Sequence, residues 1–321
     1  MKDGILILNK PQDWTSHDCV AVCRRVTGVK KVGHGGTLDP MAEGLLPVFI
    51  GKATKIMEYL DLDYKTYRCT AKLGITTDTQ DVWGEVLEER SPAGVTESEI
   101  MEKLQAFRGR ITQLPPKYSA VRINGKRLYE YARDGEEVEI RPRDVEIKEL
   151  AVTDIDMDEH TVTFDVTCSK GTYIRTICSD LGDALGCGGA MQSLSRTESG
   201  AFTLENAVTP YELKNMTPED IEERLLDIDL PLFHLGKAER APDRTKYFCN
   251  GNSIRWKQVR VLRKPAEYEH EKCNSRGRKY SELYGVYESG TGNFLGVGYY
   301  SRKENAMKAD KIFADIGFKR R

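Results

Sequence analysis

Residues 161–177 read TVTFDVTCSKGTYIRTI, and within them one periodicity gives way to another. Over residues 161–168 the apolar side chains alternate, placing Val162, Phe164, Val166 and Cys168 on one face, which is the period of a half-buried strand. A Lys170-Gly171 turn follows, and residues 173–185 have helical spacing closed by Gly186. The passage predicts a strand that runs into a tight turn and presents Tyr173 and Arg175 at the start of a helix.

Working outward, residues 5–8 read as a first strand. Ser16 can cap a helix with Cys19, Val20, Cys23 and Val26 on its apolar face, ended by Gly28. A buried strand is expected at 45–50, a short helix at 54–60, and a strand rich in β-formers at 64–73. Residues 84–89 could pair with that strand across a polar turn containing Asp78 and Asp81. Thr96-Glu-Ser-Glu99 is a capping box, followed by Ile100, Met101, Leu104 and Phe107 at helical spacing before Gly109. Residues 113–143 differ in texture: two prolines, then Lys117, Arg122, Lys126 and Arg127 interleaved with Tyr118, Tyr129 and Tyr131, as in an inserted arm. Thr217-Pro218 opens one more helix, residues 227–235 read as a connector, and short strands at 284–287 and 294–300 follow among glycine-rich turns. Strands mixed with helices, without regular βαβ alternation, give an α+β class.

The chain has 321 residues, 39% hydrophobic and 31% charged, which suits a substantial core plus a second, smaller unit. No apolar run approaches the roughly 20 residues of a membrane-crossing helix, and the amino terminus lacks a signal peptide's apolar segment, so a cytoplasmic location is expected. The net charge of −2 conceals an asymmetry. Residues 1–235 carry 28 Lys and Arg against 40 Asp and Glu, whereas residues 236–321 carry 20 against 10. A basic carboxyl-terminal unit on an acidic body points to a densely anionic partner such as nucleic acid. The eight cysteines contain no Cys-x-x-Cys pair and no histidine at zinc-site spacing, so they read as reduced structural thiols with no metal.

The chemistry centres on residues 33–52, GHGGTLDPMAEGLLPVFIGK. Spacing excludes a phosphate-binding loop, because Gly44 stands seven residues before Gly51 and Ala53 occupies the hydroxyl position. A dinucleotide fingerprint fails as well, since no third glycine stands in place. Asp39 precedes Pro40 and is pushed out of helical geometry, while Gly33, Gly35 and Gly36 leave little bulk nearby. That combination suits either an ordinary turn or a carboxylate facing a bulky ligand. A guanidinium such as Arg175 would keep the carboxylate ionised and oriented, and Tyr67 on its strand could offer a face for a base.

Six segments then occur in order: Asn9-Lys-Pro, Gly33-His-Gly-Gly-Thr-Leu-Asp-Pro, Lys65-Thr-Tyr-Arg, Leu73-Gly-x-x-Thr-Asp-Thr, Gln113-Leu-Pro-Pro-x-Tyr-Ser-Ala and Cys168-Ser-Lys-Gly-Thr-Tyr-Ile-Arg. Together they resemble the bacterial tRNA pseudouridine-55 synthases, the TruB family of pseudouridine synthases, over roughly residues 5–200. The resemblance implies a mixed, mainly antiparallel catalytic core over residues 1–235, an RNA-clamping arm at about 113–143, and a small β-rich, PUA-like RNA-binding domain over 236–321. It implies Asp39 as the catalytic carboxylate, Arg175 as its partner, and His34, Tyr67, Tyr173 and Leu194 as substrate contacts. No metal or organic cofactor is implied; the partner would be the T-arm of tRNA, acted on by a monomer without an obligate protein partner. Asp13 departs from the family, which often has glycine there, and residues 264–280 have no counterpart in it. Two rivals stand beside this expectation: an RNA-binding or tRNA-folding protein without catalysis, and a relative that modifies ribosomal RNA.

Overall fold

A computed structural model describes residues 1–240, 245–268 and 271–314. The chain runs through β1 (Gly4–Lys10), α1 (Ser16–Thr27), β2 (Val32–His34), β3 (Glu43–Ile50), β4 (Tyr64–Leu73), β5 (Ile75–Thr77) and β6 (Val86–Glu89). Next come α2 (Glu97–Gln105), β7 (Gly109–Gln113), β8 (Arg122–Ile123), β9 (Lys126–Arg127), α3 (Leu128–Asp134), β10 (Arg143–Asp156) and β11 (Thr161–Ser169). Then follow α4 (Ile174–Ala184), β12 (Gly189–Ser199), β13 (Phe202–Thr203), α5 (Pro210–Leu213) and α6 (Pro218–Glu223). The last part holds β14 (Gly236–Arg240), α7 (Thr245–Cys249), β15 (Ile254–Arg255), β16 (Arg260–Arg263), β17 (Leu283–Glu288), β18 (Phe294–Ser301) and β19 (Ala306–Ile312).

Nine strands form the main sheet in the order β1-β3-β12-β4-β11-β10-β7, with β2 added to β3 and β13 to β12. Its pairings are antiparallel except for β12 with β3, so the class is α+β with a mainly antiparallel sheet. The alternation at residues 161–168 works as expected: Val162, Phe164, Val166 and Cys168 are buried against Ile177, Cys178 and Leu181 of α4. Burying each such Val or Phe side chain contributes about 1.5–3 kcal/mol. A second core lies between α1 and strands β1 and β3.

Several local expectations are corrected. The cap of α1 is Thr15, whose hydroxyl accepts from the Asp18 N–H at 3.1 Å while the Asp18 carboxylate accepts the Thr15 N–H at 2.8 Å. Thr15 has the extended backbone that a cap needs, and Ser16, one residue later, is free for another task. The short helix expected at 54–60 spans residues 51–59 and is of the 3₁₀ type. Strand β6 pairs with β5 and not with β4, because the polar turn at 78–85 folds back on the short strand nearest to it. Gly109 opens β7 instead of ending α2, which stops at Gln105. Asp13 has a left-handed backbone, φ 64°, a conformation that glycine adopts without strain.

The second sheet has the order β15-β19-β18-β17-β14-β16. It does not hang free from the first. Leu283, Val297, Tyr280 and Phe313 share one buried cluster with Ile5, Phe49, Ile56 and Tyr59. Residues 271–280 lie across this seam: Lys272 meets Asp61 and Asp63, Arg276 meets Glu58, and Arg278 meets Asp310. Among the described residues no helix is long and apolar enough to cross a membrane. The cysteines are unbridged, and burial pushes the Cys19 and Cys168 thiols up to about 11 and that of Cys23 to about 12, so they stay protonated.

Candidate active site

The loop that joins β2 to β3 carries Asp39, and the chain fixes it from several sides. Ser16, released from capping, accepts the Leu38 N–H at 3.0 Å through its hydroxyl and donates back to the Leu38 carbonyl at 3.3 Å. Lys10, fully buried, donates to the carbonyls of Pro11, Trp14 and Pro40 at 2.9, 2.6 and 3.0 Å. Burial lowers its pKa, partly opposed by Cys19, Glu43 and Asp39. Arg196 donates to the carbonyls of Gly36 at 3.1 Å and Leu45 at 2.8 Å.

Two glycines here answer to the chain's own packing. Gly36 has φ 94°, and Gly44 pairs so closely with β12 that an added Cβ would lie 2.3 Å from the Arg196 carbonyl oxygen.

Asp39 itself faces solvent, with 53% of its side chain exposed, and its Oδ2 accepts from Arg175 Nη2 at 3.0 Å. Arg175 stands in the first turn of α4 and is only 8% exposed. The same guanidinium donates to the carbonyls of Thr79 at 3.0 Å and Tyr118 at 2.9 Å, and lies 3.5 Å from the Asp81 carboxylate. One side chain thereby links the Asp39 loop, the turn at 77–81 and the start of the arm. A guanidinium so fully engaged cannot rotate away, so it holds the exposed carboxylate in one orientation.

The other expected residues lie on β2, β4 and β12 and at the start of α4. Tyr67 lies on β4, half-buried, and packs with Leu194 of β12 against the core under α4. Burial raises the Tyr67 pKa, opposed by the Arg196 charge and reinforced by Asp39. Tyr173 precedes α4, and its backbone N–H and carbonyl are both held by the Gln113 side chain, at 3.0 and 3.2 Å. His34 ends β2, half-buried and edge-on to His17 with ring centroids 5.5 Å apart. Burial lowers its pKa, leaving a neutral ring with Nδ1 unpaired. Between β7 and β10 the arm holds the β8-β9 hairpin and α3, with Lys126 and Arg127 stacked on Tyr131 and Tyr129. Among the described residues no group of three or more His, Cys, Asp or Glu is placed to hold a metal ion.

Sequence reading missed Asp81, Lys10, Ser16 and Arg196 as parts of this site. Asp81 was visible only as part of a polar turn. Arg196 carried a usable signal: it shares a strand face with Leu194, and a charge at a core position asks for a reason.

Two family models match the chain: TruB family pseudouridylate synthase, N-terminal domain, over residues 24–174, and tRNA pseudouridylate synthase B C-terminal domain over residues 175–232. The chain belongs to the TruB family of pseudouridylate synthases. Within it, tRNA pseudouridine synthase B of Clostridioides difficile is 41% identical over 314 residues, covering 96% of this chain and 99% of the relative. The enzyme of that name from Oceanobacillus iheyensis is 47% identical over 253 residues, 78% of this chain and 84% of the relative. Among solved structures, a chain in the crystal structure of a Cbf5-Nop10-Gar1 complex matches with a TM-score of 0.69 at 25% identity, covering 97% of this chain and 85% of its own. The second sheet lies beyond both family models.

Proposed function

We propose that this protein isomerises uridine to pseudouridine at position 55, in the T-loop of tRNA, with Asp39 as the catalytic carboxylate. Family membership carries the reaction, and relatives named for tRNA carry the substrate. The single observation that supports the site assignment is the exposed Asp39 carboxylate held at 3.0 Å by a buried Arg175.

The reaction breaks the bond from ribose C1′ to uracil N1, turns the base, and joins C1′ to C5. Asp39 attacks C1′, or takes the neighbouring ribose proton to give an eliminated sugar; both routes need a carboxylate fixed in place, and Arg175 fixes it. The base must leave the stack first. Tyr67 then stacks on it, Tyr173 and Leu194 line the pocket, and His34 touches the flipped nucleotide or its neighbour.

The arm at about 113–143 closes over the T-arm, and its root is tied to the site through Gln113 and Tyr118. Residues 1–235 form the catalytic domain and 236–321 a PUA-like RNA-binding domain, acting as a monomer in the cytoplasm without an obligate protein partner. Arg255, Lys257, Arg260, Arg263 and Lys264 stand exposed within ten residues, a pattern suited to phosphates.

The test is incubation of unmodified tRNA transcript with the protein and with Asp39→Asn, followed by base-specific mapping of pseudouridine. Pseudouridine at position 55 with the wild-type protein and none with the variant is expected. Modification absent from wild type, or normal in the variant, contradicts the assignment; modification of a ribosomal RNA fragment instead would favour the rival substrate.

A further inference from the structure

Arg196 on β12 stands directly opposite Tyr67 on β4 and is 0% exposed. Removing a guanidinium from water costs several kcal/mol unless a carboxylate and full hydrogen bonding compensate. Here compensation is incomplete. Nε and Nη2 donate to the Leu45 and Gly36 carbonyls, and the side chain that favours the charged guanidinium is the Tyr67 phenol, which is not a carboxylate.

A second cation lies beside it. A Cβ added to Gly36 would sit 3.4 Å from Arg196 Nη1 and 3.7 Å from Lys65 Nζ. Burial lowers the Lys65 pKa, and the Arg196 charge lowers it further. Neither cation has a carboxylate within ion-pair distance among the described residues, although Asp39 stands on the loop whose Gly36 carbonyl Arg196 holds. A fold that served stability alone would pair these charges or replace them with apolar groups.

We propose that Arg196 is a positioning residue of the isomerisation: it fixes Tyr67 and the Asp39 loop in one frame and, with Lys65, keeps positive charge beneath the base for the moment when uracil is an anion. This rests on the proposed function. When the N1–C1′ bond breaks, its electron pair stays with the base, and negative charge spreads over N1, O2 and O4. The base then turns, its electrons form the C5–C1′ bond, and the C5 proton is lost to solvent while N1 gains one, so atoms and charge balance. The anion exists only between these steps. Positive charge below the stacking ring stabilises it more than neutral uridine, so it acts on rate more than on binding.

The experiment compares Arg196→Gln, Arg196→Lys and Arg196→Ala with wild type in single-turnover pseudouridine formation, tRNA affinity and thermal unfolding. For Arg196→Gln the rate should fall about 100-fold with Kd within threefold, whereas Arg196→Lys, which keeps the charge, should stay within about tenfold. Guanidinium chloride at millimolar concentration should restore rate to Arg196→Ala, and urea at the same concentration should not. A wild-type rate in Arg196→Gln, rate and affinity lost in parallel, or equal rescue by urea would overturn the proposal. If Arg196→Gln fails to fold, Arg196→Lys decides: a retained rate supports the role of charge, and a lost rate with intact affinity refutes it. A wild-type protein that makes no pseudouridine refutes the proposed function instead, which keeps the two failures apart.

Discussion

At the seam between the sheets, cations meet carboxylates: Lys272 lies 3.3 Å from Asp61 and 2.6 Å from Asp63, Arg276 3.1 Å from Glu58, and Arg278 2.8 Å from an Asp310 that is 2% exposed. Around the Asp39 loop, Lys10 and Arg196 are buried more deeply than any of these cations, yet they are held by backbone carbonyls. Arg175 stands between the two patterns, with carbonyls on one side and the acids Asp39 and Asp81 on the other. Charge that is matched holds the two sheets together. Charge left unmatched at the site costs stability and suits a substrate that brings phosphates and a transient base anion.

Substitutions on the two sides should separate accordingly. The largest effect is expected for Arg175→Met, which frees Asp39 and unpairs Asp81; single-turnover pseudouridine formation should drop by about 10²–10³-fold with tRNA affinity nearly unchanged. A loss of affinity equal to the loss of rate would make Arg175 a binding residue and blur the contrast.

Next in size is Arg278→Met at the seam. It leaves a buried Asp310 without its cation, held by the Tyr59 hydroxyl, so urea unfolding should show about 3 kcal/mol lost, while the rate per folded molecule stays at the wild-type level. A rate effect like that of Arg175→Met would mean that the seam, too, serves the chemistry.

The smallest effect concerns pH. Burial lowers the pKa of His234, wedged between Phe233 and Tyr280, and that of His34. With native pKa values below the unfolded value of about 6.5, the unfolded chain binds protons first as pH falls. Their share of stability is therefore present above about pH 6.5 and is lost as pH drops through the native values. The urea midpoint should decline between pH 7 and 5 by an amount worth on the order of 1 kcal/mol, and His234→Phe should remove much of the decline. A midpoint that is flat with pH would show that these rings titrate freely.

The seam also changes how the basic unit can be tested. Deleting residues 236–321 would expose Phe49, Ile56 and Tyr59, so weakened tRNA binding in such a truncation would not report on phosphate contacts alone. Neutralising the exposed cations between Arg255 and Lys264 leaves that core intact.

What the sequence revealed was local. The alternation of residues 161–168, the capping box at Thr96 and the closing Gly28 each depend on near neighbours in the chain, and each lies where expected. The pairing of Asp39 with Arg175, 136 positions apart, was legible through resemblance because both belong to quoted segments. Contacts between side chains and distant carbonyls left no periodic trace, so Lys10 on Pro40, Ser16 on Leu38 and Arg196 on Gly36 went unread. Residues 264–280 were opaque for a similar reason: their charges make sense only opposite Glu58, Asp61 and Asp63.

The central claim is that the exposed, arginine-held carboxylate of Asp39 moves the ribose from N1 to C5. Every such event replaces the hydrogen at C5, so tRNA transcribed with uridine tritiated at C5 reports it directly. Wild-type protein should release tritium in proportion to pseudouridine formed, approaching one equivalent per tRNA, while Asp39→Asn should bind the same tRNA and release none. Tritium release by Asp39→Asn at the wild-type rate would contradict the account.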